Sequence, residues 1–164
     1  NSIMTDVDAA MGLAQLDRFE EIKQKRIDVT TTYDALFDEL NEHGFVIRPM
    51  IRHFGMNYTS AMHLYPVQLP ESTSVRFVQF RDEAQEIYRN AVWRYMKDAG
   101  VPCNVHYKPL PMMTAYKQAG FDIKDYPNAY KTYASLLTIP YHTELTEEEQ
   151  RYIVSKLKEA VMEL

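Results

Sequence analysis

The chain has 164 residues, of which 46% are hydrophobic and 25% charged, proportions that suit a single folded domain. They exclude a disordered chain, a collagen-like repeat and a coiled-coil rod. The 18 basic and 23 acidic side chains give a net charge of −5, whereas a nucleic-acid-binding protein needs basic surface to neutralise phosphates. No apolar run approaches the roughly 18–20 residues of a membrane helix. We therefore expect neither nucleic acid nor a membrane among the partners.

Two helices are predicted in the first 44 residues. Thr5 can begin the first helix, because its hydroxyl and the Asp8 carboxylate have the spacing of a capping box. Asp17 is expected to cap the second helix, whose apolar residues keep a helical period to about Asn41. His43–Gly44 would end this helix, since glycine readily adopts the left-handed conformation found just after helices.

The middle of the chain is predicted to contain two strands and a longer helix. Residues 45–47 and 63–69 are the strands, and Pro66 would place the second one at a sheet edge or a bulge. Residues 75–80 fit either a helix or a strand. An apolar stripe then predicts a helix from 81 to 100.

The last third begins with a predicted strand over 101–107. Two short helices and a further strand are expected over 114–118, 127–135 and 136–140. Thr146 and Glu149 have the spacing of a complete capping box for the last helix. The order of elements predicts an α+β domain, in which a small and mostly antiparallel sheet is covered by helices on one side.

The only cysteine, Cys103, excludes an internal disulfide and a cysteine-rich zinc site. A lone thiol beside Pro102 in an apolar run is predicted to be buried and inert. The alternative is a nucleophile activated by His106, but a spacing of three along a strand sends two side chains to opposite faces. The free thiol also indicates a reducing, cytoplasmic setting.

Motifs of stand-alone enzymes are missing from the sequence. It contains no G-x-G-x-x-G, Walker, H-E-x-x-H or G-x-S-x-G pattern. The five histidines, at positions 43, 53, 63, 106 and 142, have no spacing typical of metal ligands. We therefore expect no catalytic residue and no metal ligand within this chain.

Three segments are unusual for a plain structural domain, namely 1–16 (NSIMTDVDAAMGLAQL), 60–67 (SAMHLYPV) and 105–110 (VHYKPL). In this order they resemble the DegT/DnrJ/EryC1/StrS family of sugar aminotransferases. The corresponding family patterns are N-x-R-M-T-D/E-x-Q-A-A-x-G-x-x-Q-L, S-x-x-H-L-Y-x-V and V-H-Y-x-P-L-H. Residues 125–129 and 137–149 also match, so the resemblance extends over essentially the whole chain.

The resemblance implies a fold-type-I enzyme that uses pyridoxal phosphate (PLP) to move an amino group, typically from glutamate, to a nucleotide-linked keto-sugar. Such a reaction serves the synthesis of polysaccharides or glycoconjugates. In this family a large domain carries the cofactor and its Schiff-base lysine, and a small C-terminal domain closes the site. Residues 1–164 would be that single small domain with its leading long helices, and the large cofactor-binding domain would be absent. We therefore expect the fragment itself to bind no PLP and to be inactive.

The resemblance makes Asn1 the cofactor-binding candidate. Asn1 matches the family's asparagine that reaches the cofactor phosphate of the other subunit. The alternative is a frayed chain terminus. Ile3 stands where the family often has arginine or asparagine, which removes a polar contact to the phosphate. Asp8, in place of the common glutamine, is a further departure.

The substrate-binding candidates are His106 and Tyr107, which match the V-H-Y motif that lies near the sugar in the family. Because a strand alternates its faces, only one of the two would point into the site. The alternative is a structural histidine and a core tyrosine. His63 is predicted to be structural, and Pro111 replaces a family histidine whose role would be absent here.

A second hypothesis keeps the family fold without its chemistry, as a non-catalytic dimerisation or carbohydrate-binding module. The upstream reading frame would separate the two hypotheses, since a cofactor lysine followed by a glycine-rich turn supports the enzyme. A homodimer is expected under both.

Overall fold

The computed structural model of the chain describes residues 3–44, 47–50, 60–71 and 81–164. The helices are α1 (Asp6–Asp17), α2 (Phe19–Glu42), α3 (Arg81–Asp98), α4 (Thr114–Gln118), α5 (Pro127–Ser135) and α6 (Glu147–Glu163). The strands are β1 (Arg48–Pro49), β2 (Tyr65–Gln68) and β3 (Leu136–Ile139), and short 3-10 turns lie at Leu110–Met112 and Ile123–Asp125. Within these ranges, no helix combines the length and the apolar character needed to cross a membrane.

Side-chain caps fix the starts of the first and last helices. The Thr5 hydroxyl accepts a hydrogen bond from the Asp8 amide and the Asp8 carboxylate accepts one from the Thr5 amide, which confirms the predicted capping box of α1. Thr146 and Glu149 form the same box at the start of α6. Gly44, with a φ of 88°, follows the end of α2 and confirms the predicted stop.

The boundary between α1 and α2 differs from the prediction. α1 continues through Asp17, so the Asp17 side chain does not cap the second helix. Arg18 separates the two helices, and no side chain caps α2 there. Because the Arg18 amide donates to Gln15 and its carbonyl accepts from Ile22, the chain passes between the helices with little loss of backbone bonding.

The described sheet has three antiparallel strands in the order β1–β2–β3. Pro66, expected at an edge or a bulge, lies in the central strand opposite Thr138. The Pro66 carbonyl accepts a hydrogen bond from the Met50 amide, so the proline nitrogen also faces the short strand β1. The missing N–H of proline therefore costs no hydrogen bond between β2 and β3.

The predicted strand over residues 101–107 is wrong. Within this segment Asn104 alone pairs with β3, through two backbone hydrogen bonds with Thr138 of 2.9 and 2.7 Å. The Asn104 side chain accepts a 2.7 Å hydrogen bond from the Val105 amide. This local bond competes with continued strand pairing, as asparagine side chains commonly do.

The other predicted strands are shorter or shifted. β2 excludes His63 and ends one residue before the predicted limit of 69. Ile47 is buried but precedes β1. Residues 45–46 and 75–80, which carried further predictions, lie outside the described residues.

The hydrophobic core lies between one face of the sheet and the helices α2, α3 and α6. Strand side chains alternate, so Tyr65 and Val67 share this face with Leu137 and Ile139. The three helices contribute Val29, Tyr33, Leu36, Phe37, Leu40, Tyr88, Val92, Met96, Ile153, Val154, Leu157 and Ala160. This arrangement confirms the predicted α+β class, a small antiparallel sheet covered by helices.

α1 buries none of its residues. Its exposed apolar side chains are distributed around the helix and are Val7, Met11, Leu13 and Leu16. A helix that is apolar on several sides is usually buried in a larger protein. Phe19 of α2 and Ile87 of α3, which belong to the apolar residues on which these helices were predicted, are also 47% and 70% exposed.

Candidate functional site

The face of the sheet opposite the core forms the floor of a pocket. Pro66 and Leu136 lie on this face by the same alternation that places Val67 in the core. α5 begins at Pro127 and runs directly into β3, so one side of the helix borders the floor. The pocket has a volume of about 690 Å³ and is lined by Met50, Pro66, His106, Tyr107, Pro109, Asn128, Ala129, Thr132, Tyr133 and Leu136.

Two anchors bring the segment after α3 to this pocket. The Cys103 carbonyl accepts a 2.8 Å hydrogen bond from the indole N–H of Trp93. The next residue, Asn104, pairs with Thr138 of β3. Held at both points, the chain places His106 and Tyr107 beside the floor of the pocket.

Both substrate-binding candidates line the pocket. The prediction that only one of them would face the site is wrong, because the segment is not a strand and its side chains do not alternate. The rings of His106 and Tyr107 meet edge to face, with centroids 4.6 Å apart. Tyr107 is 67% exposed, which contradicts the alternative of a core tyrosine.

The Nδ1 atom of His106 is buried and makes no hydrogen bond within the described part of the chain. A buried polar atom without a partner costs about 1–3 kcal/mol. Because Nδ1 is shielded in this arrangement, a ligand hydroxyl or amide would remove this cost only if the imidazole turned toward the pocket. Beside it, Tyr107 offers a phenol group and an aromatic face, so the pair suits a ligand with several hydroxyls and an apolar face.

α5 supplies pocket residues that the sequence did not identify. Asn128 contributes an amide, Thr132 a hydroxyl and Tyr133 an aromatic ring. A signal for this wall was present, because residues 125–129 match the family pattern, but no role was assigned to them. Asn128 and Thr132 are four residues apart, so they lie on the same face of α5.

Cys103 is not among the residues that line the described pocket. Its thiol is half-buried, and burial raises the pKa of Cys103 to about 12. The thiolate, which is the reactive form, is therefore scarce near neutral pH. This favours an inert thiol over a nucleophile paired with His106.

The cofactor-binding candidate, Asn1, lies outside the described residues. No lysine or arginine occurs among the residues that line the described pocket. PLP requires a lysine for covalent attachment and donors for its phosphate group. The described lining alone therefore supplies neither a covalent attachment for PLP nor a cationic side chain for its phosphate.

Comparison with known proteins relates the whole chain to one family. Residues 1–158 match the model of the DegT/DnrJ/EryC1/StrS aminotransferase family. A UDP-4-amino-4,6-dideoxy-N-acetyl-beta-L-altrosamine transaminase of Campylobacter jejuni is 28% identical over 157 residues, which cover 96% of this chain and 37% of the relative. A dTDP-4-amino-4,6-dideoxy-D-glucose transaminase of Shigella dysenteriae is 26% identical, with 97% and 38% covered. The chain thus spans little more than a third of the length of these curated relatives.

The same relation appears in solved structures. Spr1654 of Streptococcus pneumoniae, provisionally named a sugar aminotransferase and solved in apo, PLP and PMP forms, has a TM-score of 0.82 at 35% identity. The match covers 98% of this chain and 36% of that protein. Since the family model matches nearly every residue and the fold agrees, the chain belongs to the DegT/DnrJ/EryC1/StrS aminotransferase family.

Proposed function

We propose that residues 1–164 are the C-terminal portion of a PLP-dependent aminotransferase that transfers an amino group from glutamate to a nucleotide-linked keto-sugar. The product would serve polysaccharide or glycoconjugate synthesis. Family membership supports the class of reaction, and the UDP- and dTDP-linked amino-sugar transaminases among the relatives support the substrate class. The observation that carries the proposal is the pocket in which His106 and Tyr107 meet beside α5.

In this proposal the pocket receives the sugar. Tyr107 offers an aromatic face against which the C–H face of a sugar ring can pack, and a turn of the His106 ring would let its buried Nδ1 bond to a hydroxyl. Asn128 adds an amide at the start of α5. Groups held in this way orient the keto carbon and reduce the entropy lost on reaching the reactive geometry. PLP would be bound by residues outside the described pocket, with Asn1 as the contribution expected from this chain.

The same proposal includes a large cofactor-binding domain and a homodimer. A coverage of about 37% of the relatives leaves room for such a domain. The exposed apolar side chains of α1 support its burial against further protein surface. Residues 1–164 alone would then have no transaminase activity, because the cofactor lysine would belong to the large domain.

The test uses the complete reading frame that contains residues 1–164. The purified protein is loaded with PLP and mixed with glutamate and a UDP- or dTDP-linked 4-keto-6-deoxy sugar, and 2-oxoglutarate and amino-sugar are quantified. Formation of both products in equal amounts supports the proposal. A complete protein that binds the nucleotide-sugar but forms neither product is the non-catalytic module instead. A protein that does neither contradicts both hypotheses.

A further inference from the structure

We propose that Glu86 and Arg89 of α3 are positioning residues, which hold the α5 wall of the pocket in its ligand-binding arrangement. The inference rests on the proposed function for its ligand, a nucleotide-linked sugar. Neither residue is among those that line the described pocket. Arg89 acts through Tyr133 and Leu136 and Glu86 acts through Tyr133, and both Tyr133 and Leu136 line it.

Arg89 is only 2% exposed, although its side chain is charged. Its Nη1 atom donates to the carbonyl oxygens of Tyr133 at 2.9 Å and Leu136 at 3.3 Å, where α5 passes into β3. Carbonyl groups at the end of a helix lack intrahelical partners, and a cation there also meets the negative end of the helix dipole. Arg89 therefore fixes the main chain of two residues that line the pocket.

The side chain of Tyr133 is held by the same pair. The Arg89 guanidinium lies 4.8 Å from the centroid of the Tyr133 ring, and the Tyr133 hydroxyl donates a 3.1 Å hydrogen bond to Glu86 Oε1. The hydroxyl of Tyr130 donates to the other oxygen of Glu86 at 3.2 Å. Both carboxylate oxygens of Glu86 are thus bonded to side chains of α5.

Burial and hydrogen bonds that leave α3 distinguish Glu86 and Arg89 from an ordinary surface ion pair. Arg89 Nη2 lies 3.4 Å from Glu86 Oε1, with side-chain exposures of 2% and 25%. The Nε bond of Arg89 stays on α3, with Asn90, whereas both Nη1 bonds leave the helix. A buried guanidinium needs such partners, because an unpaired charge in the interior is strongly unfavourable.

The wall fixed by this pair supplies four of the ten residues that line the described pocket. It consists of Asn128, Ala129, Thr132 and Tyr133. A small rotation of α5 would move these four side chains together relative to His106 and Tyr107. A sugar that contacts both groups of residues would then lose hydrogen bonds, which weakens its binding before any chemical step.

The test introduces Arg89→Lys and Glu86→Gln separately into the complete, PLP-loaded protein and compares each variant with the wild type. Lysine keeps the charge but not the planar fork of donors, and glutamine keeps the size of glutamate but loses one acceptor oxygen. We expect the KM of the keto-sugar to rise about tenfold in Arg89→Lys and about threefold in Glu86→Gln, with kcat changed less than about twofold. Merely less folded protein would lower the apparent kcat and leave KM unchanged.

Arg151→Lys is the matched control, because Arg151 is an exposed arginine of α6 whose partner is Glu147 on the same helix. Its KM should equal that of the wild type. If Arg89→Lys does not fold, Glu86→Gln alone decides. Values of KM within about twofold of the wild type in the folded variants overturn the inference, even if the amides of residues 127–136 exchange faster with solvent.

Failure of the proposed function would give a different result. A wild-type protein that forms no amino-sugar is examined by calorimetry with UDP-N-acetylglucosamine and dTDP-glucose. Weaker binding of either compound by Arg89→Lys or Glu86→Gln, with Arg151→Lys unchanged, then still supports the positioning role. Equal affinity in all variants, or no binding at all, overturns it.

Discussion

His106 and Tyr107 are consecutive residues whose rings meet edge to face, 4.6 Å between centroids, on one wall of the pocket. In a strand their side chains would have pointed to opposite faces. The irregular chain after Asn104 makes the shared position possible. The contact between the rings keeps both side chains at the pocket before a ligand enters, which lowers the entropy cost of binding.

Substitution of Tyr107 separates the contribution of its ring from that of its hydroxyl. In the complete enzyme we expect Tyr107→Phe to raise the KM of the keto-sugar about threefold and Tyr107→Ala more than about tenfold, because alanine also removes the support of His106. Steady-state kinetics with saturating glutamate provide the measurement. Tyr152→Phe, on the exposed side of α6, is the control. Equal effects of phenylalanine and alanine would refute a role for the ring.

Cys103 should react slowly with thiol reagents in the folded protein. Burial raises its pKa to about 12, so the folded chain holds almost no thiolate at neutral pH. We expect labelling by Ellman's reagent to be at least about a hundredfold slower in the native chain than in urea, where the thiol regains an ordinary pKa. Fast labelling under native conditions would show that the thiol is accessible and activated.

The capping box of α6 should make stability depend on acid pH. The amide and the hydroxyl of Thr146 donate to the Glu149 carboxylate and lower its pKa. The unfolded chain therefore takes up the proton at a higher pH than the folded chain. The stabilisation is complete above the ordinary glutamate pKa and is lost as the pH falls through the lowered value in the folded state.

Urea unfolding of Glu149→Gln at neutral and acid pH measures this effect. The variant should be less stable than the wild type at neutral pH, and the difference should shrink as the pH falls. Glu148→Gln is the control, because Glu148 is a neighbouring first-turn acid that takes no part in the capping box. The same pH dependence in both variants would mean that the helix dipole, and not the box, is responsible.

Residues 1–164 alone should form no covalent adduct with PLP. The described pocket contains no lysine, and the resemblance places the cofactor lysine outside this chain. Mass spectrometry after borohydride reduction measures such an adduct, with the complete protein as the positive control. A single stable adduct on one lysine of the 164-residue chain would contradict the expected division between domains.

Local signals in the sequence predicted local structure well. The capping boxes at Thr5 and Thr146 need only residues three positions apart, and both are present. The predicted cap at Asp17 was wrong, because a residue type that suits a cap does not show whether the preceding helix has already ended. The predicted strand over 101–107 was wrong because strand pairing depends on the partner strand. Here the Asn104 side chain accepts the hydrogen bond of the Val105 amide.

The candidate site was predictable only in part for a similar reason. His106 and Tyr107 were found through a motif of neighbouring residues, and the structure brings both to one pocket. Arg89 gave no comparable signal, because in sequence it is one charged residue on a helix with many charges. Its bonds to Tyr133 and Leu136 cross 44 and 47 positions and arise only when α3 packs against α5.

A crystal structure of the complete protein with a nucleotide-linked amino-sugar tests the central claim most directly. We expect the His106 ring to turn so that a sugar hydroxyl or amide lies within about 3.2 Å of Nδ1, with the sugar ring packed against Tyr107. A sugar bound elsewhere, with Nδ1 still unpartnered and the α5 wall empty, would contradict it.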